Sequence, residues 1–362
     1  MAHKEPDYFA ERRTWARTRE VDGIRKHIPM VITRTPLRIS FFGGGTDYPA
    51  WAEQNGGVVL STTIDKYCYI TCRYLPPFFD YNYRIRYAEQ EHTNTVNEIK
   101  HPSVRECLNF TKINGGIEMQ HNSDLPAMSG LGSSSAFTVG FLHTLYALQG
   151  GVVSKRQLAL DAIKVEQEMI KENVGSQDQV AAAFGGFNKI EFGGQQKIRV
   201  SPMVIAPATL ASLEDHCMLF FTGFSRNASE IAAEQIKNIK QKEKELRAMS
   251  GMVNEAIGFL SGEAVRLQDF GWLLHESWML KRGLSSQITN QNIDDMYSAA
   301  RVAGALGGKL LGAGGGGFMV IFAEPEAQPG IIKKLGEFLH VPFRFEREGS
   351  KVIFYEPGGP YR

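Results

Sequence analysis

Along the first 29 residues, polar and charged side chains alternate without a clear apolar stripe. "AERRTWARTREVDGIRKH" offers at best one amphipathic helix, so residues 1–29 read as an appendage. The pattern changes abruptly at Met30, a candidate second initiation site. "MVITRTPLRISFFGGGTDY" alternates apolar and polar positions and is rich in β-branched residues, which predicts a strand and the start of the folded body. Residues 58–73, "YRIRYAE" and "GIEMQHNSD" continue that character and predict an antiparallel sheet. From residue 136 to 148 apolar residues recur at helical spacing until Gly150 and Gly151 stop them, which predicts a buried helix. A second helix is expected over 155–171, then a hairpin over 188–200 turning at Gly193 and Gly194. The proline-bearing "SPMVIAPATL" follows, and a domain boundary is placed near residue 205. Beyond it come a strand ("HCMLFFTG"), long helices over 228–284 and 292–305, a strand ("FMVIFA"), a helix and a last strand ("SKVIFYE"). The fold class is therefore α+β, with an N-terminal extension (1–29) and two domains (30–205 and 206–362).

Composition agrees with that division. A chain of 362 residues, 43% hydrophobic, exceeds the usual size of one core. Forty basic against thirty-nine acidic residues give +1, and no segment concentrates positive charge, so no nucleic-acid partner is indicated. The mixed run "KNIKQKEKELR" reads as a solvated helix face. Small charged metabolites stay open as ligands. The four cysteines, Cys68, Cys72, Cys107 and Cys217, form no C-x-x-C pair and read as core thiols. With no charged and apolar leader at the start, they suggest a reducing, cytoplasmic setting. No apolar run approaches the ~18 residues a membrane span requires.

Chemistry concentrates in "DLPAMSGLGSSSAF", residues 124–137, where glycines, then serines, then a helix follow one another. Glycines let main chain approach an anion, and a helix N-terminus presents unpaired N–H groups and a positive dipole end. Serine hydroxyls there can ligate Mg²⁺. The stretch is not G-x-x-x-x-G-K-[ST], and a plain glycine-serine loop with a serine cap is the competing account. "LGAGGGGF", residues 311–318, interrupts apolar structure with five glycines, which argues against a flexible linker.

Taken in order, "RTPLRISFFGGGTDYP", the glycine-serine loop and "GGKLLGAGGGGFMVIF" resemble the three signature segments of the GHMP kinases, the superfamily of galactokinase, homoserine kinase and mevalonate kinase. The resemblance spans residue 31 to about 356, and the first segment looks like the sugar-kinase branch that includes D-glycero-D-manno-heptose 7-phosphate kinase, with the kinase part of L-fucokinase a near relation. It implies a ribosomal protein S5 domain 2-like N-terminal domain and a ferredoxin-like α+β C-terminal domain. It also implies ATP held by Pro126, Ser129, Gly130, Leu131, Gly132, Ser133, Ser134 and Ser135. By the same resemblance Ser134 and Glu166 hold Mg²⁺, with Glu168 the rival carboxylate. Asp178 accepts or orients the acceptor's proton, and Arg38 lies beside it to hold its charge. Gly44, Gly45, Thr46 and Asp47 line the sugar site, where galactokinase reads G-E-H-T-D, so galactose is disfavoured. The third loop lies against the nucleotide loop and the substrate, with Gly314, Gly315 and Gly316 at the substrate. A phosphorylated acceptor needs cations at its far end, and Arg226 and Lys281 are the candidates.

The expectation is transfer of the γ-phosphoryl of ATP to the anomeric hydroxyl of D-glycero-D-manno-heptose 7-phosphate or a similar sugar phosphate, feeding nucleotide-sugar synthesis. The alternatives are an anomeric kinase for a free sugar such as L-fucose and a non-catalytic ligand-binding regulator. A homodimer is left open.

Overall fold

The computed structural model describes residues 29–358 except 114, 194–197, 224–227 and 262–263. The N-terminal extension and the tip of the 188–200 hairpin, at Gly194, therefore lie outside the described residues.

The first domain is organised by two long strands, β1 (Met30–Phe42) and β2 (Gly57–Tyr74), paired antiparallel. Between them the chain turns through the helix α1 (Pro49–Asn55). At 18 residues β2 is long enough to hold different partners along its length. Gly57 to Ser61 pair with β6 (Asn188–Phe192), which in turn pairs with β7 (Ile198–Pro202). Cys68 to Tyr74 pair with β5 (Ile117–Ser123). β3 (Tyr83–Arg86) and β4 (Gln90–Thr93) extend the sheet beyond β5. The expected antiparallel pairing holds except between β3 and β5, which run parallel. The cause is the connection, since β4 runs antiparallel to β3 and returns the chain to the end where β3 began, and α2 (Pro102–Thr111) then takes it to the other side of β3, where β5 starts.

The helix α3 (Ser133–Leu148) is apolar on nearly every face because it lies across β1 and β2 while other helices cover its outer side. α4 (Lys155–Lys164) is shorter than the expected 155–171 helix, because the backbone widens at Val165–Ile170 into a π-helical turn. α5 (Gln177–Phe184) follows.

The second domain begins with α6 (Pro207–Asp215) and holds a four-stranded antiparallel sheet of order β11-β8-β10-β9. Its strands are β8 (Cys217–Phe221), β9 (Gly307–Leu310), β10 (Phe318–Phe322) and β11 (Leu339–His340). In chain order that is 4-1-3-2, the ferredoxin-like arrangement. The helices α7 (Ala228–Asn238), α8 (Glu243–Ser261), α9 (Leu267–Arg282) and α10 (Gln291–Val302) separate β8 from β9, and α11 (Gln328–Lys334) precedes β11. The long helix expected over 228–284 is thus three helices, broken by a 3₁₀ turn at Ile239–Gln241 and again after Ser261.

One boundary requires correction. β12 (Phe345–Glu346) pairs with β2 and β13 (Lys351–Glu356) pairs with β1, so the end of the 206–362 segment belongs to the first sheet. The two sheets also share an apolar core. Phe41 and Phe42 meet Phe270 of α9 edge-on, at centroid separations of 5.6 and 5.1 Å. All four cysteines are free; Cys68, Cys72 and Cys107 are buried and Cys217 is partly buried.

Candidate active site

The glycine-serine loop delivers the chain to α3 through two left-handed glycines, Gly130 (φ 81°) and Gly132 (φ 75°). A side chain on Gly132 would press on Arg38 Cγ and Asp178 Oδ2 at 3.3 Å, so the loop rests directly on that pair. Arg38, on β1, donates Nε to Asp178 Oδ1 and Nη2 to Asp178 Oδ2, both at 2.8 Å. Its Nη1 donates to the Gly130 carbonyl at 2.6 Å. The guanidinium is 4% exposed and the carboxylate 25%, so a fixed cation lies beneath a carboxylate that still reaches solvent. Asp178 stands in the first turn of α5, where the helix dipole favours negative charge. Two helix N-termini, those of α3 and α5, therefore converge on one ion pair.

The loop residues divide by exposure. Pro126 and Ser134 are exposed, Ser133 is partly buried, and Ser129, Leu131 and Ser135 are buried. The Leu131 carbonyl accepts from the Arg38 main-chain N–H. Ser129 Oγ is buried with no hydrogen-bond partner among the described residues.

Glu166 lies in the π-helical turn and is fully buried, whereas Glu168 is exposed. Its Oε2 accepts from Ser135 Oγ at 2.9 Å and from the Gln179 amide of α5, while Oε1 has no partner. Burial pushes its pKa up to about 7, and the nearby Thr138 hydroxyl offsets only part of that. The serine expected beside Glu166 was Ser134; the structure brings Ser135 there instead. The helix starts at Ser133, so the third serine turns inward and the second faces out.

The sugar-site expectation is corrected more sharply. Asp47 is buried, and its carboxylate is occupied by the N–H of Gly45 and by the main-chain N–H and side-chain amide of Gln177, each at 3.1 Å. It caps the start of α5. A side chain at Gly175 would overlap Asp47 Oδ2 at 1.8 Å, which explains the Gly-Ser turn ahead of Asp178. Burial raises the Asp47 pKa, and the Asp178 charge adds to this. Thr46 is also occupied, donating to Gly43 and Val58 carbonyls. Gly44 and Gly45 are partly exposed and keep the main chain open beside Ser40 and Gln177.

The third loop does meet the second, through Gly312 and Gly317. A side chain on Gly312 (φ 69°) would strike Gly130 Cα at 2.6 Å, and one on Gly317 (φ 101°) the Ser129 carbonyl at 2.3 Å. Phe318 N–H donates to that same carbonyl. Gly314 packs on Ile288, Gly315 N–H donates to the Ile288 carbonyl, and Gly316 is buried between them and Gly317.

Of the two cations expected at a distal phosphate, Arg226 lies outside the described residues. Lys281 is buried, its ammonium donating to the Leu310 and Gly312 carbonyls at 2.9 and 2.6 Å. It therefore holds the third loop and does not reach outward. Its burial was foreshadowed by position, since Phe270, Leu273, Leu274, Ser277, Trp278 and Lys281 form one stripe of α9. Lys309, not singled out from the sequence, is a second buried amine and donates to the Phe41 carbonyl at 2.9 Å. Its signal was its place inside the apolar run leading into "LLGAGGGG".

Among the described residues no helix is long and apolar enough to cross a membrane, and no three His, Cys, Asp or Glu side chains group as a metal site. Residues 96–186 match the GHMP kinases N-terminal domain and residues 263–341 the GHMP kinases C-terminal domain. A D-glycero-alpha-D-manno-heptose 7-phosphate kinase of Campylobacter jejuni is 33% identical over 333 residues, covering 88% of this chain and 97% of that one. The bifunctional fucokinase/GDP-fucose pyrophosphorylase of Arabidopsis thaliana is 24% identical over 80% of this chain, which spans only 29% of that protein. The crystal structure of a D-glycero-D-manno-heptose 1-phosphate kinase of Bacteroides thetaiotaomicron superposes with a TM-score of 0.72, covering 89% of this chain and 98% of that one at 22% identity. On the two domain matches and a relative 33% identical over 88% of this chain, the chain belongs to the GHMP kinases and is an ATP-dependent sugar kinase.

Proposed function

We propose that this enzyme transfers the γ-phosphoryl group of ATP to the anomeric hydroxyl of a sugar phosphate, with D-glycero-D-manno-heptose 7-phosphate the first acceptor to test. The observation that carries the reaction type is the bidentate Arg38–Asp178 pair lying under Gly132 at the N-terminus of α3. The acceptor rests on the Campylobacter jejuni relative, which aligns with nearly its whole length.

In this reading the main chain of 129–133 and the free N–H groups opening α3 hold the nucleotide's phosphates. Asp178 orients the acceptor hydroxyl and takes its proton as oxygen bonds to phosphorus and the bond to the β-phosphate oxygen breaks. A loose transition state asks little proton transfer early, so an oriented carboxylate suffices. Arg38 fixes both oxygens of Asp178 and presents positive charge where negative charge builds. Closure of the third loop over the second excludes water from the transfer.

The residues present fit a magnesium ion. Glu166 has one carboxylate oxygen without a donor, and Mg²⁺ characteristically takes one or two carboxylates with the rest of its shell from phosphates and water. Glu166 would hold the ion, with Ser134 and Ser135 the hydroxyls at hand, and the ion would supply positive charge to offset that of the phosphates. On the same reading the new anomeric phosphate is the group that a nucleotidyltransferase consumes once any distal phosphate is removed, so the enzyme would serve nucleotide-sugar synthesis in the cytoplasm.

The test is ADP release over a panel of phosphorylated and free sugars, with ³¹P NMR locating the new phosphate. Turnover of heptose 7-phosphate to the 1,7-bisphosphate supports the reading. Turnover of free L-fucose alone replaces it, and no turnover with any phosphosugar rejects it.

A further inference from the structure

Three buried basic side chains each donate to the main chain of a different glycine segment. Arg38 holds Gly130 in the second loop, Lys309 holds Phe41 at the mouth of the first, and Lys281 holds Leu310 and Gly312 in the third. Arg38 also grips a carboxylate, whereas the two lysines are bonded to carbonyls alone. Burying an amine on neutral acceptors is costly, and an apolar side chain of like volume on α9 would serve packing better. Such a cost calls for a return elsewhere.

Lys281 stands at the last turn of α9, where a cation is favoured by the helix dipole. From there a short chain of contacts leads to the chemistry. Its ammonium bonds the Gly312 carbonyl; Gly312 lies against Gly130; the Gly130 carbonyl takes Arg38 Nη1; and Arg38 holds both oxygens of Asp178. Every link but the second is a hydrogen bond made by a basic side chain, and the second is backbone against backbone with no room for a Cβ. Displacing Gly312 therefore displaces Gly130 or opens a gap above it.

We propose that Lys281 is a positioning residue for phosphoryl transfer: by holding the Leu310 and Gly312 carbonyls it seats the third loop on Gly130 and so fixes the register of Arg38 and Asp178 beneath the nucleotide loop. This rests on the kinase reading above, though not on the identity of the acceptor. The charged groups around Lys281 are Arg38 and Asp178, Asp47, and Lys309. Burial and Arg38 lower its pKa to about 7, while Asp178 and Asp47 oppose that. Lys309 is lowered well below its ordinary range, chiefly by burial and then by the Lys281 and Arg38 charges.

The experiment replaces Lys281 with Met, which keeps the volume and removes the donors, and with Gln, which restores a donor. Both are assayed well below their melting temperatures on whichever acceptor the wild-type enzyme turns over best. Failure of the phosphosugar reading then leaves this test intact. For Lys281→Met, kcat should fall roughly 10- to 100-fold while KM for ATP stays within threefold, because misplacement costs the transfer step more than ground-state binding. Lys281→Gln should recover part of that loss. A Met variant with kcat within twofold of wild type, or one losing activity only through KM, overturns the proposal. If the Met variant does not fold, the Gln variant alone is decisive: a kcat within twofold overturns the proposal, and a kcat deficit at unchanged KM supports it.

Discussion

Asp178 and Glu166 are both carboxylates of the same site, and their surroundings give them different work. Asp178 is partly exposed, paired to Arg38 and set at a helix N-terminus, so its carboxylate faces outward from a fixed cation. Asp178→Asn keeps the shape but removes the acceptor for the sugar's proton and leaves Arg38 against a neutral amide. kcat should fall by about 10²- to 10⁴-fold with little change in KM for ATP, read by ADP release; undiminished transfer would remove Asp178 from the mechanism. Glu166 is the opposite case, fully buried with its carboxyl pushed from 4.5 up to about 7. The folded chain holds that proton after the unfolded chain has released it. The stability this confers is complete below 4.5 and is lost as pH rises through about 7, a difference of about 3 kcal/mol. Glu166→Gln removes the linkage. Its melting temperature relative to wild type, without added metal, should climb between pH 4.5 and 7 and then level off. A difference that is flat across that window contradicts the burial argument.

At the scale of elements, the three glycine segments are where the backbone decides. Gly312→Ala forces a Cβ to within 2.6 Å of Gly130 Cα, at a φ of 69° that alanine disfavours, and neither side is a flexible side chain. The variant should melt lower and lose most activity. Gly251→Ala supplies the contrast: it lies within α8, exposed, with nothing within 4 Å of the added methyl, and helix propensity alone predicts a gain of about 0.5–1 kcal/mol at unchanged kcat. Thermal melts and assays of the pair separate a packing requirement from the general cost of glycine. The close approach of the second and third loops was implied by the family resemblance, and the five glycines inside apolar structure fit it because two backbones can meet only where side chains are absent. Which glycines touch was not legible, since that depends on how β9 and β10 emerge from the second sheet. The choice between Ser134 and Ser135 was hidden for a related reason: a helix turns about 100° per residue, so the facing serine depends on where α3 begins. Lys281 was misread because lysine is usually a surface charge, although the apolar stripe of α9 runs straight through it.

For the whole molecule, the long-range feature least visible in the sequence is the return of the chain to the first sheet. "SKVIFYE" reads as a strand wherever it pairs, and only the fold shows it lying along β1 from Met30 to Arg34, on the edge opposite β2. The arrangement ties the two domains at both ends of the second one. The chain leaves the first domain before β8 and comes back after β11 through β12, so the glycine loops close within a structure anchored twice. A chain ending at Gly349 tests how much that closure contributes. It keeps the four strands of the second sheet, the three glycine segments, Asp178 and Arg38, and loses Ser350, β13 and the residues that follow it. If residues 206–362 were a separate domain, the first sheet would be untouched and only the second would weaken. Because β13 covers the edge of β1, the strand that carries Arg38, the loss should expose that edge to aggregation and lower the stability of the first domain. The expected outcome is a lower melting temperature with early loss of amide-exchange protection in residues 30–34, ahead of any change in β8 and β10. Protection lost first in the second sheet, with β1 unaffected, would show that β13 is dispensable to the domain it joins.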